Sequence, residues 1–133
     1  MENILIPVSL GELYDKISIL EIKRDKLSNT EDINNVIKLE NINKELKLLN
    51  EVINKNNIEI DNDLYARLKR VNNAIWGIED NIRTFESKHR FDEMFISLAR
   101  SVYINNDERS SIKREINELY NSNIIEEKIY QKY

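Results

Sequence analysis

The chain has 133 residues, no cysteine, one histidine and a formal net charge of −4. It therefore carries no basic field to hold nucleic-acid phosphates or an anionic membrane surface, and it has no disulfide framework, thiolate nucleophile or cysteine-ligated zinc. Its apolar runs fall far short of the ~20 residues of a membrane span, and its start lacks a basic-then-apolar signal pattern. With 41% hydrophobic and 33% charged residues it reads as folded rather than disordered. The expectation is a cytoplasmic protein with a single helical domain over residues 1–133.

"NILIPV", Asn3 to Val8, is a short apolar segment ending near Pro7, and at most it forms one short strand. Ser9 followed by Glu12 makes a capping box that starts helix one. That helix runs to about Leu27, with a seam of Leu10, Leu13, Ile17, Leu20 and Leu27. Ile19 and Ile22 fall on its far side at about 100° per residue, so it is apolar on two sides. Thr30 or Asp32 can cap helix two, where Leu39, Ile42, Leu46, Leu49 and Ile53 recur by threes and fours until "NKNNIEIDND" breaks the pattern. Helix three, from about Leu64 to Phe85, has the most regular seam: Leu64, Leu68, Val71, Ile75, Ile78, Ile82 and Phe85.

After the charged connector "ESKHR", helix four carries Phe91, Phe95, Leu98 and Val102 on one side and Ile96, Tyr103 and Ile104 on another. "INND" should end it, Asn106 or Asp107 should cap helix five, and Ile112, Ile116, Leu119 and Tyr120 should form that helix's stripe before a short tail. The expected fold is all-α, a bundle of about five helices built from antiparallel hairpins. Helices one and four, apolar on two faces, should be middle members or face another subunit.

Several charged residues sit beside apolar faces. On helix three, Asn72, Trp76, Glu79 and Arg83 are spaced four, three and four, which makes a second stripe with Asp80 at its edge. A tryptophan inside a polar stripe argues that the stripe is covered. Gly77, in a helix interior where it costs ~1 kcal/mol relative to Ala, suggests a close approach to the backbone. The plain alternative is a solvated Glu79–Arg83 pair worth a few tenths of a kcal/mol. On helix one, Glu12 has a local role as the return half of the capping box, while Asp15 has none. Arg100 lies among Ile96, Tyr103 and Ile104, where an arginine pairs with a carboxylate or binds an anion. No phosphate-cradling glycine loop, GxSxG elbow or histidine pair is present, and His89 reads as a surface residue. Glu12-x-x-Asp15 matches half of the carboxylate pairs that hold magnesium in all-helical nucleotide pyrophosphatases, although a lone ExxD is common.

In order, "VSLGELYDKISILEIKRDKL", "VNNAIWGIEDNIR" and "LARSVYINNDERSSIKREIN" resemble the blocks of an uncharacterised family of short bacterial and phage proteins catalogued as a domain of unknown function. The resemblance passes through Glu12, Asp15, Lys16, Glu21 and Lys23, then Trp76, Glu79, Asp80 and Arg83, then Arg100, Tyr103, Asn106, Asp107, Arg109 and Lys113. It implies a free-standing protein and brings no activity with it.

Together these readings predict a mixed pocket among helices one, three and four for a small anionic, phosphorylated or metal-chelated ligand. Glu12, Asp15, Glu79 and Asp80 are the candidate ligands of a Mg or Mn ion, a set that would support metal-assisted hydrolysis. Lys16, Trp76, Arg83, Arg100, Asn106, Arg109 and Lys113 are the candidate ligand-binding residues. The rival expectation is a regulatory or interaction protein, a homo-oligomer, whose charges are buried pairs that fix helix register.

Overall fold

Each helix starts where a short polar side chain can accept a backbone N–H that the helix leaves unpaired. Ser9 accepts from Glu12, Asp32 from Asn34 and Asn35, Asp61 from Leu64, and Asp92 from Phe95. In the computed structural model, which describes all 133 residues, the helices that follow are α1 (Leu10–Leu27), α2 (Ile33–Lys55), α3 (Asn62–Ser87) and α4 (Glu93–Leu119). None is long and apolar enough to cross a membrane.

The helix ends explain part of the asparagine content. The chain has two glycines, and Asn29, Asn57, His89 and Asn121 take the left-handed backbone conformation beyond the four helices instead. Asparagine tolerates that region better than other side chains with a Cβ. After α2, α3 and α4 the amide two residues past the cap bonds back to the helix: Ile58 to Ile53, Arg90 to Phe85, Ser122 to Asn117.

Short connections make two hairpins, α1–α2 and α3–α4. Helix α1 is the central member: it packs against α2 on one side and against both α3 and α4 on the other, while α2 touches α1 alone. The core is Leu13, Tyr14, Ile17 and Leu20 of α1 with Leu46 and Ile53 of α2, Leu64, Leu68 and Val71 of α3, and Ile112 and Ile116 of α4. Ile22, on the far side of α1, is buried as well, so the central position expected from two apolar faces is occupied by α1. The connector before α3 is tied down by a hydroxyl cluster. Tyr14 Oη donates to Tyr120 Oη at 2.8 Å, Tyr120 Oη donates to the Glu59 carbonyl, and the Asp61 N–H donates to Tyr120 Oη at 2.7 Å. Burial and the bond to Tyr120 push the Tyr14 phenol well above its ordinary value.

Two expectations fail. The anticipated fourth and fifth helices are one helix of 27 residues, so there are four helices, and neither Asn106 nor Asp107 is a cap. Asn and Asp cost only about 0.7 kcal/mol each in a helix interior, and "INND" contains no glycine or proline. Asn105 Nδ2 also donates to the Ser101 carbonyl one turn back, at 2.8 Å. The N-terminal strand does not form, because a strand needs a partner for its backbone groups and residues 1–8 lie exposed without one.

The two glycines have opposite surroundings. A Cβ on Gly11 would lie 2.5 Å from the Lys113 carbonyl oxygen and 3.0 Å from Asn117 Oδ1, whereas a Cβ on Gly77 would meet nothing within 4 Å. The close backbone approach expected at Gly77 is therefore at Gly11, whose N–H donates to Asn117 Oδ1 at 2.7 Å. Gly11→Ala is expected to destabilise the fold by about 1–3 kcal/mol through overpacking of α1 on α4. Gly77→Ala is expected to stabilise it by up to about 1 kcal/mol through helix propensity. Thermal unfolding followed by circular dichroism checks both signs, and parallel shifts of the two variants would contradict this packing.

Candidate functional site

Asp15 sits on the face of α1 that meets α3 and α4, between the core positions Tyr14 and Ile17, and is 1% exposed. A carboxylate taken that far out of water survives only if its oxygens are paired. Arg109 of α4 supplies a fork, with Nε donating to Oδ1 at 3.0 Å and Nη2 donating to Oδ2. Asn72 of α3 donates from Nδ2 to Asp15 Oδ1 and to Ser18 Oγ, both at 2.8 Å, and Ser18 donates to the Asp15 carbonyl. No buried side-chain polar atom is left without a partner.

Lys113 lies one turn after Arg109, so the same face of α4 carries both cations. Its ammonium donates to Glu12 at 2.8 Å and to Glu126 at 3.3 Å, and lies 3.8 Å from Asp15. Burial works against its charge, but the Glu12 bond and the fields of Asp15, Glu12 and Glu126 prevail and raise its pKa. The hydrogen bond to Asp15 likewise outweighs burial at Arg109, whose pKa is raised. Glu12 thus spends its carboxylate on Lys113 rather than on the capping box expected of it.

Glu126 belongs to the C-terminal tail, which runs back along α4. Glu127 accepts from Arg114 at 2.9 Å, Tyr133 donates to Asp107 at 2.5 Å, and the Tyr133 ring meets Tyr103 edge-on at 4.9 Å. Partial burial opposes ionisation of Glu126, but Lys128 and Lys113 hold its carboxyl below the ordinary value. Between tail and helix lies a cleft of about 1070 Å³. Arg109, Lys113, Asn106, Ser110 and Glu12 line it from the helices, and Lys128, Lys132 and Tyr130 line it from the tail.

Of the eleven candidate residues, Glu12, Asn106, Arg109 and Lys113 meet at this cleft, with Asp15 buried behind them. The stripe on α3 also comes together, but elsewhere: Trp76, Glu79, Asp80 and Arg83 line a second groove with Asn72 and with Ile19 and Ile22 of α1. Arg109 is the one residue common to both linings. Lys16 is exposed, 4.0 Å from Glu45. Arg100 is exposed too, and neither it nor Arg83 belongs to the arginines in ion pairs, which are Arg24, Arg67, Arg90, Arg109 and Arg114.

The carboxylates expected around one metal ion do not converge. Glu12 and Asp15 face Lys113 and Arg109, Glu79 and Asp80 lie in the other groove, and no three acidic or histidine side chains form a cluster able to hold a metal. The network also recruits Ser18, Asn117 and Glu126, which sequence reasoning passed over. Asn72 was visible as a polar residue beside the α3 seam, whereas the tail carried no periodic signal.

The family model described as a family of unknown function, DUF6165, matches residues 4–133. No curated protein and no solved structure matches the chain.

Removing Asp15 leaves two cations of the network without their buried partner. Asp15→Ala is therefore expected to cost about 3–5 kcal/mol of stability. Asp80→Ala and Glu79→Ala, on an open groove and outside any ion pair, are expected to change stability by no more than about 0.5 kcal/mol. Urea unfolding of the three variants checks this, and a severe loss in Glu79→Ala would contradict the separation of the two groups.

Proposed function

We propose that this chain, which belongs to the DUF6165 family of unknown function, is a binding protein for a small anionic ligand held in the cleft between α4 and the C-terminal tail. The observation that carries the reading is the pair Arg109 and Lys113 on the cleft lining, Arg109 held from behind by buried Asp15 and Lys113 held by Glu12 at the cleft itself. Cations oriented in advance by carboxylates lose little freedom when a ligand arrives. Arg109 commits Nε and Nη2 to Asp15, which leaves Nη1 for a phosphate or carboxylate oxygen. Asn106 and Ser110 add neutral hydrogen-bonding groups, and Lys128 and Lys132 add charge from the tail side.

The reading is one of binding rather than of metal-assisted hydrolysis, because the carboxylates that would hold the ion are spent on cations or lie in the other groove. Mg or Mn enters only as part of a chelated ligand. The cysteine-free sequence suits a reducing compartment, and the cytoplasm is the proposed location.

A thermal-shift screen of inorganic phosphate, sugar phosphates, nucleotides and di- or tricarboxylates, each with and without Mg, tests the proposal. Phosphorylated compounds are expected to raise the melting temperature by mass action, with the rise reduced in Lys128→Ala and Asn106→Ala. The metal alone is expected to do nothing, and a flat response to every compound would remove the reading.

Self-association is a second reading with its own observation. Phe91, Met94, Ile96 and Ile104 are all exposed on the part of the α3–α4 hairpin that ends in the connector. Ile96, Arg100 and Ile104 form one stripe at a spacing of four along α4. Exposed apolar groups in such a row mark contact surfaces. Light scattering is expected to give a multiple of 15.8 kDa, shifted toward the single-chain mass by Ile96→Lys. The single-chain mass at every concentration would exclude it.

A further inference from the structure

A third groove lies away from the cleft, where the last turns of α1 meet α2 and the indole of α3. Lys23, Lys26 and Leu27 of α1, Lys38, Asn41 and Ile42 of α2, and Trp76 enclose about 380 Å³. We infer that this groove is a binding site for a small phosphorylated molecule with a ring that rests against Trp76.

The charges give the first argument. The chain carries a net charge of −4, and its other lysines in contact with carboxylates are Lys16, Lys69, Lys113 and Lys128. Lys23, Lys26 and Lys38 are not among them, so three lysines outside any ion pair line one groove, and no carboxylate lines it. Three like charges brought together repel one another, and a phosphate among them relieves that repulsion while accepting their hydrogen bonds. The favourable field at the C-terminal end of α1 accounts for Lys26, which lies in the last turn with Arg24. It does not account for Lys38, which comes from another helix, or for the absence of a carboxylate.

The indole gives the second argument. Trp76 is half-buried, and the Lys26 ammonium stands 5.3 Å from its ring centroid. A cation held over an aromatic face keeps the positive charge next to a flat apolar surface. That is the pairing a molecule with both a ring and a phosphate needs. Leu27 and Ile42 extend the apolar floor. The volume falls in the range of about 300–1000 Å³ found for small-ligand pockets, near its lower end, which fits a monophosphate. A nucleotide base and a sugar ring would both satisfy this chemistry.

The site is independent of the cleft along α4, with which it shares no lining residue. Trp76 is the chain's single tryptophan and also lines the second groove, so intrinsic fluorescence reports a ligand at either, and the lysine variants assign the response to this one. Titration at low ionic strength with a nucleoside monophosphate, a hexose phosphate, inorganic phosphate, and the uncharged nucleoside and hexose tests the inference. At least one of the two phosphorylated ring compounds is expected to change the emission saturably, and more tightly than inorganic phosphate. Whichever of the two acts identifies the ring, and the uncharged parents are expected to have no effect. Lys23→Ala and Lys38→Ala, both at exposed positions, are expected to weaken that response about fivefold to tenfold each, the scale of a charge-assisted hydrogen bond. Lys128→Ala, in the other cleft, is expected to leave it unchanged. The inference is overturned if neither phosphorylated compound gives a saturable change, if the lysine variants respond like the parent, or if Lys128→Ala loses as much as they do.

Discussion

The contact on which the arrangement of helices depends is the fork of Arg109 on Asp15. It joins the central helix to α4, and through Asn72 it takes in α3 as well. A hydrophobic seam tolerates sliding by a turn at modest cost, because one aliphatic side chain replaces another. A buried carboxylate does not, since any slip leaves a charge in a medium that cannot solvate it. A buried pair of this kind adds little net stability over an apolar substitute, and a slip of one helix would leave one of its charges unpaired. The close approach at Gly11 acts in the same direction, because the Lys113 carbonyl leaves no room for a Cβ there. One contact sets the depth of α1 against α4 and the other sets its position along it.

Helix α4 does not break where its sequence invites a break. Arg109 and Lys113 project from the same side of the helix that buries Ile112 and Ile116. The local preference of "INND" for a cap is worth a fraction of a kcal/mol per residue, and the packed second half of α4 overrides it. Asp107 instead accepts from Tyr133, so the residue expected to begin a helix receives the end of the tail.

What was legible in the sequence follows the same division. The seams of α1, α2 and α3, the Ser9 cap and the start of α2 at Thr30 or Asp32 were readable, because burial of one face imposes a period that the chain itself carries; a central place was expected of helices one and four alike, and only α1 takes it. The stripe of Trp76, Glu79 and Arg83 was readable for the same reason and does line one groove. Which helix that stripe would face was not readable, since periodicity sets the side of a helix and not its neighbour. Grouping Glu79 and Asp80 with Glu12 and Asp15 assumed one pocket where the fold makes two. The tail's part in the cleft had no signature, because a segment that lies along a helix without regular structure imposes no spacing.

Arg109 stands between the two regions, lining both the α4–tail cleft and the groove that holds Trp76. A flexible arginine in that position would couple them, swinging toward whichever side offered an anion. This one cannot swing without abandoning Asp15, which is closed off from solvent and has no other arginine in contact. The guanidinium plane is thus a fixed wall with one edge held and one edge free. An anion bound on the cleft side, as proposed, would meet donors that are already in place. The same burial that makes Asp15 costly to leave unpaired holds Arg109 between the two linings.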